Sequence, residues 1–454
     1  MEPQADAAEH PVSVTGGRTI SPWLVFGLTF ALLLSDHMSR QALNVVFPLL
    51  KEEWALPDSR LAVLNSVVAL VVGLLTFPLS LLADRWGRVR SLVLMAITWS
   101  AATLLCADAS DYGQLLGGRV LTGVGEAAYG SVGIAVVLGV FPSHRRASLS
   151  GAFMAGGSFG STIGLALGGA IAVHLGWRCS FAAMAIFGLL LAVLFWVFVT
   201  QAKVDRYQHG DTTATSGEAT TIAGRRAPVS SLFSVAAVNC VYLGSGLQLF
   251  VAAVLLAWTP SFLNRYYAMP LDRAGALAAV FVLLTGAGMI VCGVITDRLS
   301  HERPTRKWTT AISYSLLAAA LLIVGFTLDA GGLQLVLLGA GAFFSAGASG
   351  PATAMVAHLA HDSVRAAGFG ALTLANNLLG MASGPFVVGV LADRLGLLAA
   401  LRLAPLAYIG AVVALLIGKR CYPAGVSRLA QLELRLSVTP ADAARSADGE
   451  RLRR

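Results

Sequence analysis

Ser80-Leu81-Leu82-Ala83-Asp84-Arg85-Trp86-Gly87-Arg88 is a short charged turn set between two apolar runs, residues 61–83 and 91–108. Each run is long and apolar enough to cross a bilayer, which takes about 20 such residues. A charged turn between two spans must lie at a membrane face, because charge and irregular backbone are costly in the hydrocarbon. The same reading carried outward gives runs near 22–48, 61–83, 91–108, 113–140, 148–173, 178–200, 231–262, 273–296, 308–328, 332–356, 366–391 and 397–418, separated by charges or by Gly and Pro clusters. This predicts an all-α integral membrane protein with twelve transmembrane helices.

Composition agrees. Of 454 residues, 56% are apolar and 12% charged, with a mean hydropathy of +0.73, whereas soluble domains carry roughly twice that charge density. The net charge of +8 does not describe a nucleic-acid face, because most Lys and Arg lie in short segments between apolar runs. With both termini in the cytoplasm, inner loops hold Arg85, Arg88, Arg90, Arg145, Arg146, Lys203, Arg206, Arg225, Arg226, Arg298, Arg303, Arg306, Lys307 and Arg365. Outer loops hold about half as many, the expected cytoplasmic bias. The brevity of the loops is of bacterial type and suggests an inner, or plasma, membrane. Glu2, Asp6 and Glu9 precede the first run, so it lacks the basic flank of a cleavable signal peptide and is expected to stay in the protein. Cys106, Cys179, Cys240, Cys292 and Cys421 are scattered and show no metal-ligand spacing.

Residues 201–230 are polar, small and aperiodic, which predicts a cytoplasmic linker between six-helix bundles at 22–200 and 231–420. Residues 1–21 form an N-terminal tail. The C-terminal tail, 421–454, begins with a short amphipathic helix at 429–436 and is otherwise too polar to fold alone. The halves echo each other. Asp84-Arg85 closes the second run and Asp297-Arg298 the eighth, while Gly160-x3-Gly164-x3-Gly168-Gly169 and Gly380-x3-Gly384-Pro385-x3-Gly389 occupy the fifth and eleventh. Such matching is the trace of duplication seen in many secondary transporters.

The turn resembles the Gly-x3-Asp-Arg-x-Gly-Arg loop signature of the major facilitator superfamily, with Ser80 at the first glycine. Gly293-x3-Asp297-Arg298 repeats the front of that motif, with Ser300 at the later glycine. Within the superfamily the chain is similar to the spinster-like lysolipid and sphingolipid transporters. Arg119-x3-Gly123-Val124-Gly125-Glu126-Ala127-Ala128-Tyr129, Trp177-Arg178, Trp258-Thr259-Pro260 and His358-x3-Asp362-x2-Arg365 carry the likeness, which runs over about residues 25–395. Organic-anion symporters share part of the Arg119-to-Ala127 pattern. Both branches often place Asp directly before the Arg of span one; here Ser39 precedes Arg40, and the acid, Asp36, sits one turn earlier. The resemblance implies two pseudo-symmetric bundles around a central cavity lined by spans one and four, and secondary transport by alternating access. It also implies a cytoplasmic gate at Asp84, Arg85, Arg88, Asp297 and Arg298, for which a plain topology signal is the rival reading.

Charges inside spans cost about 2.5–3.5 kcal/mol each even on the mild insertion scale and are usually functional. Arg119 and Glu126, seven residues apart, fall within about 20° of one helix face, and Tyr129 shares it. Asp36 and Arg40 share a face of span one. Glu126, with Asp36, is therefore expected to carry the coupling proton, its charge balanced by Arg119. Arg119 and Arg40 are expected to offer paired donors to an anionic head group. Arg119 and Glu126 also fit a mere staple between helices. The C-terminal half places no acid or base at mid-span, so Tyr242, Gln248, Trp258, Asn376 and Asn377 are its candidate cavity groups, or else plain helix-contact residues.

These readings converge on a proton-coupled transporter of an amphipathic, lysolipid-like or other organic anion, acting as a monomer among membrane lipids. Import of a sugar acid or aromatic acid is the rival substrate reading. A lipid-active membrane enzyme is the rival class. Gly156-Gly157-Ser158-Phe159-Gly160 matches a nucleophile elbow in letters, but lies inside an apolar helix rather than at a strand-to-helix turn. His358, His361 and Asp362 lack a fourth metal ligand. Neither metal nor cofactor is expected.

Overall fold

The computed structural model describes residues 21–141, 145–201, 233–301, 303–361 and 364–437. The N-terminal tail to residue 20, the expected linker from 202 to 230 and the tail from 438 lie outside them.

Among the described residues, twelve long helices make up the fold: α1 (Pro22–Trp54), α2 (Asp58–Trp86), α3 (Arg88–Asp108), α4 (Tyr112–Val140), α5 (Leu149–Leu175), α6 (Trp177–Phe198), α7 (Ala236–Tyr266), α8 (Leu271–Ser300), α9 (Arg306–Thr327), α10 (Gly332–Leu359), α11 (Ala367–Leu395) and α12 (Leu397–Gln431). All but α1 are long and apolar enough by composition to cross a membrane. The polar run from Ser35 to Gln41 keeps α1 below that mark, yet it packs as a full member of the bundle. Large apolar side chains such as Leu74, Phe77, Ile186, Trp196, Ile290 and Ile409 face outward. That belt suits lipid, where burying an apolar face against protein brings no gain over hydrocarbon.

Two helices break at corresponding places. α4 is interrupted between Glu126 and Tyr129, and α10 between Ser345 and Ser349. α11 contains a π-helical segment, Asn376–Ala382, the kind of local widening that often marks a functional position. The stretch at 429–436, expected as a separate short helix, is the end of a helix running Ala407–Ser437 through Pro423. Gly87, at φ +97°, turns α2 into α3, a backbone state that glycine enters at little cost.

The halves meet along two seams, α5 on α8 and α2 on α11, with α1 crossing α7 between them. Small residues set the seams. A Cβ on Gly275 would lie 2.5 Å from the Leu165 carbonyl, and one on Gly389 2.9 Å from that of Asp58. We expect Gly275→Val to push α8 off α5 and cost about 1–3 kcal/mol, as overpacking does, read as a lower melting temperature of the purified protein; an unchanged value would count against this seam. Close packings across the seams run from Gly169 against Leu271 to Ser158 against Gly286, and from Gly389 against Asp58 to Gly73 against Asn377. The second segments of α4 and α10 pack mainly within their own halves. Between the seams, a cavity therefore opens toward the end that carries Asp84 and Asp297, where its rim residues Met154 and Met289 are 68% and 43% exposed.

Candidate functional site

Arg40, from α1, donates through both Nε and Nη2 to one oxygen, Oε2, of Glu126, the last residue before the break in α4; the Nε distance is 3.0 Å. Glu126 is buried and its Oε1 has no hydrogen-bond partner. Asp36, one turn before Arg40 and also buried, interacts electrostatically with both Arg40 and Glu126. Its Oδ2 lies 3.3 Å from Nδ1 of His37, and the same Nδ1 lies 3.1 Å from the Leu33 carbonyl. Two acids and one guanidinium thus share a space with little water, where unpaired charge is expensive. Arg40 gives two of its three guanidinium nitrogens to Glu126.

Arg119 is not the partner the sequence suggested. It is fully buried; Nε donates to the Leu64 carbonyl at 3.3 Å, and Nη1 and Nη2 have no partner. Arg119 and Glu126 share a helix face, but seven residues set them about 10 Å apart along it. The guanidinium turns toward α2, and Arg40, crossing from α1, reaches the carboxylate first. Arg119 still contributes charge to the cluster, within electrostatic reach of Asp36, Arg40 and Glu126.

The cavity between the halves measures about 240 Å³. From the N-terminal half it is lined by His37, Arg40 and Gln41 of α1 and by Met154, Gly157, Ser158 and Ser161 of α5. From the C-terminal half come apolar residues, among them Leu249, Leu256, Phe281, Val282, Met289 and Met381. None of the aromatic and amide groups expected on that wall lines it. Tyr242 donates to the Gly368 carbonyl, Gln248 to Ser315 and the Ala311 carbonyl, and Trp258 to the Pro385 carbonyl. Asn376 accepts from Ser245, and Asn377 donates to the Thr373 carbonyl. Leu249, Leu255 and Leu256 line the cavity, while Gln248 and Trp258 spend their polar groups on partners inside the bundle. Tyr129 is likewise a core residue, donating to the Thr29 carbonyl at 2.7 Å and meeting Trp99 edge-on.

Of the expected gate residues, Asp84 accepts from Arg88 at 3.0 Å, and Arg85, Asp297 and Arg298 are exposed. No ion pair among the described residues joins the two halves at that end. The opposite end is latched. Asp58, at the start of α2, accepts from Arg265 of α7 through both oxygens at 2.9 and 2.8 Å, and from Lys51 at 2.8 Å. Asp393, near the end of α11, accepts from the backbone N–H groups of Asp58 and Ser59 at 2.6 and 3.1 Å, an anion on the positive end of a helix. Sequence reading missed this latch, although the signal was present: Leu391-Ala392-Asp393-Arg394 repeats Leu82-Ala83-Asp84-Arg85. No cluster of three or more His, Cys, Asp or Glu that could hold a metal occurs among the described residues.

Comparison with known proteins places this geometry in a family. The profile of the Major Facilitator Superfamily matches residues 29–385. Among curated relatives, a probable L-galactonate transporter of Escherichia coli strain K12 is 28% identical over 60% of this chain, a match that spans 61% of that protein. A gallate transporter of Pseudomonas putida is 25% identical over 97% of this chain and 99% of its own. Among solved structures, a bacterial homolog of the human lysosomal transporter Spinster, inward-facing and unoccupied, superposes with a TM-score of 0.74 at 18% identity, covering 94% of this chain and all of that one.

Proposed function

The chain belongs to the Major Facilitator Superfamily, and from that premise we propose that it carries a small organic anion across the membrane together with a proton, by alternating access, through Glu126 and Arg40. It is a transporter rather than an enzyme, with one chain supplying the whole path. The observation that carries the reading is Arg40, which lines the cavity and holds the buried Glu126 behind it. When Glu126 takes a proton, it releases Arg40, whose freed donors then hold a carboxylate as a bidentate pair. Asp36, Glu126, Arg40 and Arg119 sum to zero with both acids ionised. A bound monoanion leaves one negative charge, and one proton on Glu126 cancels it, so proton and substrate are expected to travel together.

The small-acid class is supported by the likeness to a probable L-galactonate transporter and to a gallate transporter; the likeness to the Spinster homolog supports the fold alone. The basic end with Arg85, Arg88, Arg90 and Arg298 fits the cytoplasm, which puts both termini there and makes the described state inward-open and latched outside. In the opposite state, Asp84 and Arg85, with Asp297 and Arg298, would close the inner end. The test is Glu126→Gln in proteoliposomes. Substrate exchange without a gradient should persist while accumulation under an imposed pH gradient falls at least tenfold, the range for losing a proton-transfer group; accumulation at the native level would remove Glu126 as the carrier.

A further inference from the structure

The polar groups of the cavity lie almost wholly on one wall. α1 and α5 supply His37, Arg40, Gln41, Ser158 and Ser161, while the facing wall is apolar. Its one hydroxyl, Thr285, is committed to its own bundle, 3.0 Å from the Phe281 carbonyl and 3.1 Å from that of Ala342. A sugar acid carries hydroxyls along its whole length. Those turned toward Leu256, Phe281 and Val282 would leave water without finding a partner, which binding sites discriminate against strongly. A flat ring instead presents apolar faces to that wall and keeps its polar substituents at the edge.

His37 adds a specific reader. Its Nδ1 faces two acceptors, the Leu33 carbonyl at 3.1 Å and Asp36 Oδ2 at 3.3 Å, which leaves Nε2 as the ring nitrogen for another partner. Nε2 lies against Gly157 on the cavity wall, where a Cβ would come within 2.9 Å of it. The imidazole edge packs onto the bare glycine, in the space a Cβ would fill.

We infer that this cavity selects an aromatic monocarboxylate bearing a hydroxyl, with the carboxylate on Arg40, the ring against Phe281 and its neighbours, and the hydroxyl hydrogen-bonded to the His37 imidazole. The inference rests on the anion-transport reading above.

The experiment uses the full chain in proteoliposomes, with 3-hydroxybenzoate, benzoate, galactonate and lysophosphatidylglycerol as probes and an imposed pH gradient. The expected order has 3-hydroxybenzoate ahead of galactonate by about tenfold or more in kcat/KM, with no competition from the lysolipid. His37→Phe should shrink the preference for 3-hydroxybenzoate over benzoate by about tenfold, and Val282→Thr, which adds a hydroxyl at constant shape, should raise galactonate relative to both. A preference for galactonate or the lysolipid, uptake of none of the four, or an unmoved ratio of the two benzoates in His37→Phe overturns the inference. Galactonate uptake that equals or exceeds that of 3-hydroxybenzoate and still follows the pH gradient would overturn it while leaving proton coupling intact. Uptake of 3-hydroxybenzoate with the expected selectivity but indifferent to the gradient would uphold it and remove the coupling.

Discussion

Asp58→Asn is expected to open the latched end, shifting the balance between the two access states by roughly two orders of magnitude. Asp58 is buried and holds two cations, Arg265 from the opposite half and Lys51 from its own. Removing one member of a buried charge pair costs about 2–5 kcal/mol, and only the state in which the halves touch here bears that cost. An amide keeps one acceptor and the side-chain volume, so the change isolates charge. Asp393→Asn should act in the same direction but less, because its partners are backbone N–H groups that water can satisfy once the end parts. Spin labels at Glu52 and Arg273, both exposed at this end and one in each half, report the separation by pulsed EPR. A distance distribution indifferent to Asp58→Asn would mean that packing of α5 on α8 and α2 on α11 holds the end shut without the ions.

The repeated tetrapeptide gives this latch a counterpart. Asp393 ends α11 beside the start of α2, and Asp84 ends α2 toward the end where α11 begins. In a chain built from two related halves, Asp84 would take the corresponding place at the start of α11 in the opposite access state. The described state uses the Asp393 cap, while Asp84 turns to Arg88 on the next helix. Alternation between the two caps would exchange similar energies at either end, which suits a carrier that must visit both states.

Much of this was legible in the sequence because a bilayer demands long apolar runs and taxes each charge within them. The spans, the glycines of α5 and α11 and the gathering of Asp36, Arg40 and Glu126 all follow from that demand. Side-chain choice between competing partners did not. Arg119 and Glu126 share a face, but the break after Glu126 and the crossing of α1 hand the carboxylate to Arg40, and neither feature has a local periodic signal. Nor did the apolar wall emerge, since polar residues on α7 and the π-helical part of α11 were assigned to the cavity by type rather than by helical phase. His37 was passed over because a lone histidine in a span gains meaning only when its two nitrogens are seen to face different surroundings.

Arg40→Lys is expected to lower kcat/KM for the transported anion by about a hundredfold, the loss that follows when roughly 3 kcal/mol of paired, charge-assisted hydrogen bonding is removed. Charge is kept, so any model in which Arg40 supplies only positive potential predicts a small effect. The geometry predicts a large one. Both Nε and Nη2 converge on one oxygen of Glu126 while Arg40 also lines the cavity, so on the proposed reading the planar fork would touch the proton carrier and the substrate site at once. An ammonium on a flexible stem can serve either, and pairing with Glu126 would keep it from the anion. The defect should therefore fall mainly on KM at low external proton concentration and ease as acidification neutralises Glu126. Initial uptake rates across a range of external pH, with the melting temperature of the variant as a check on folding, measure this directly. A folded Arg40→Lys protein within threefold of the native kcat/KM at every pH would show that the guanidinium fork is not what joins proton to substrate, and the coupling would then have to run through Asp36 and Arg119 instead.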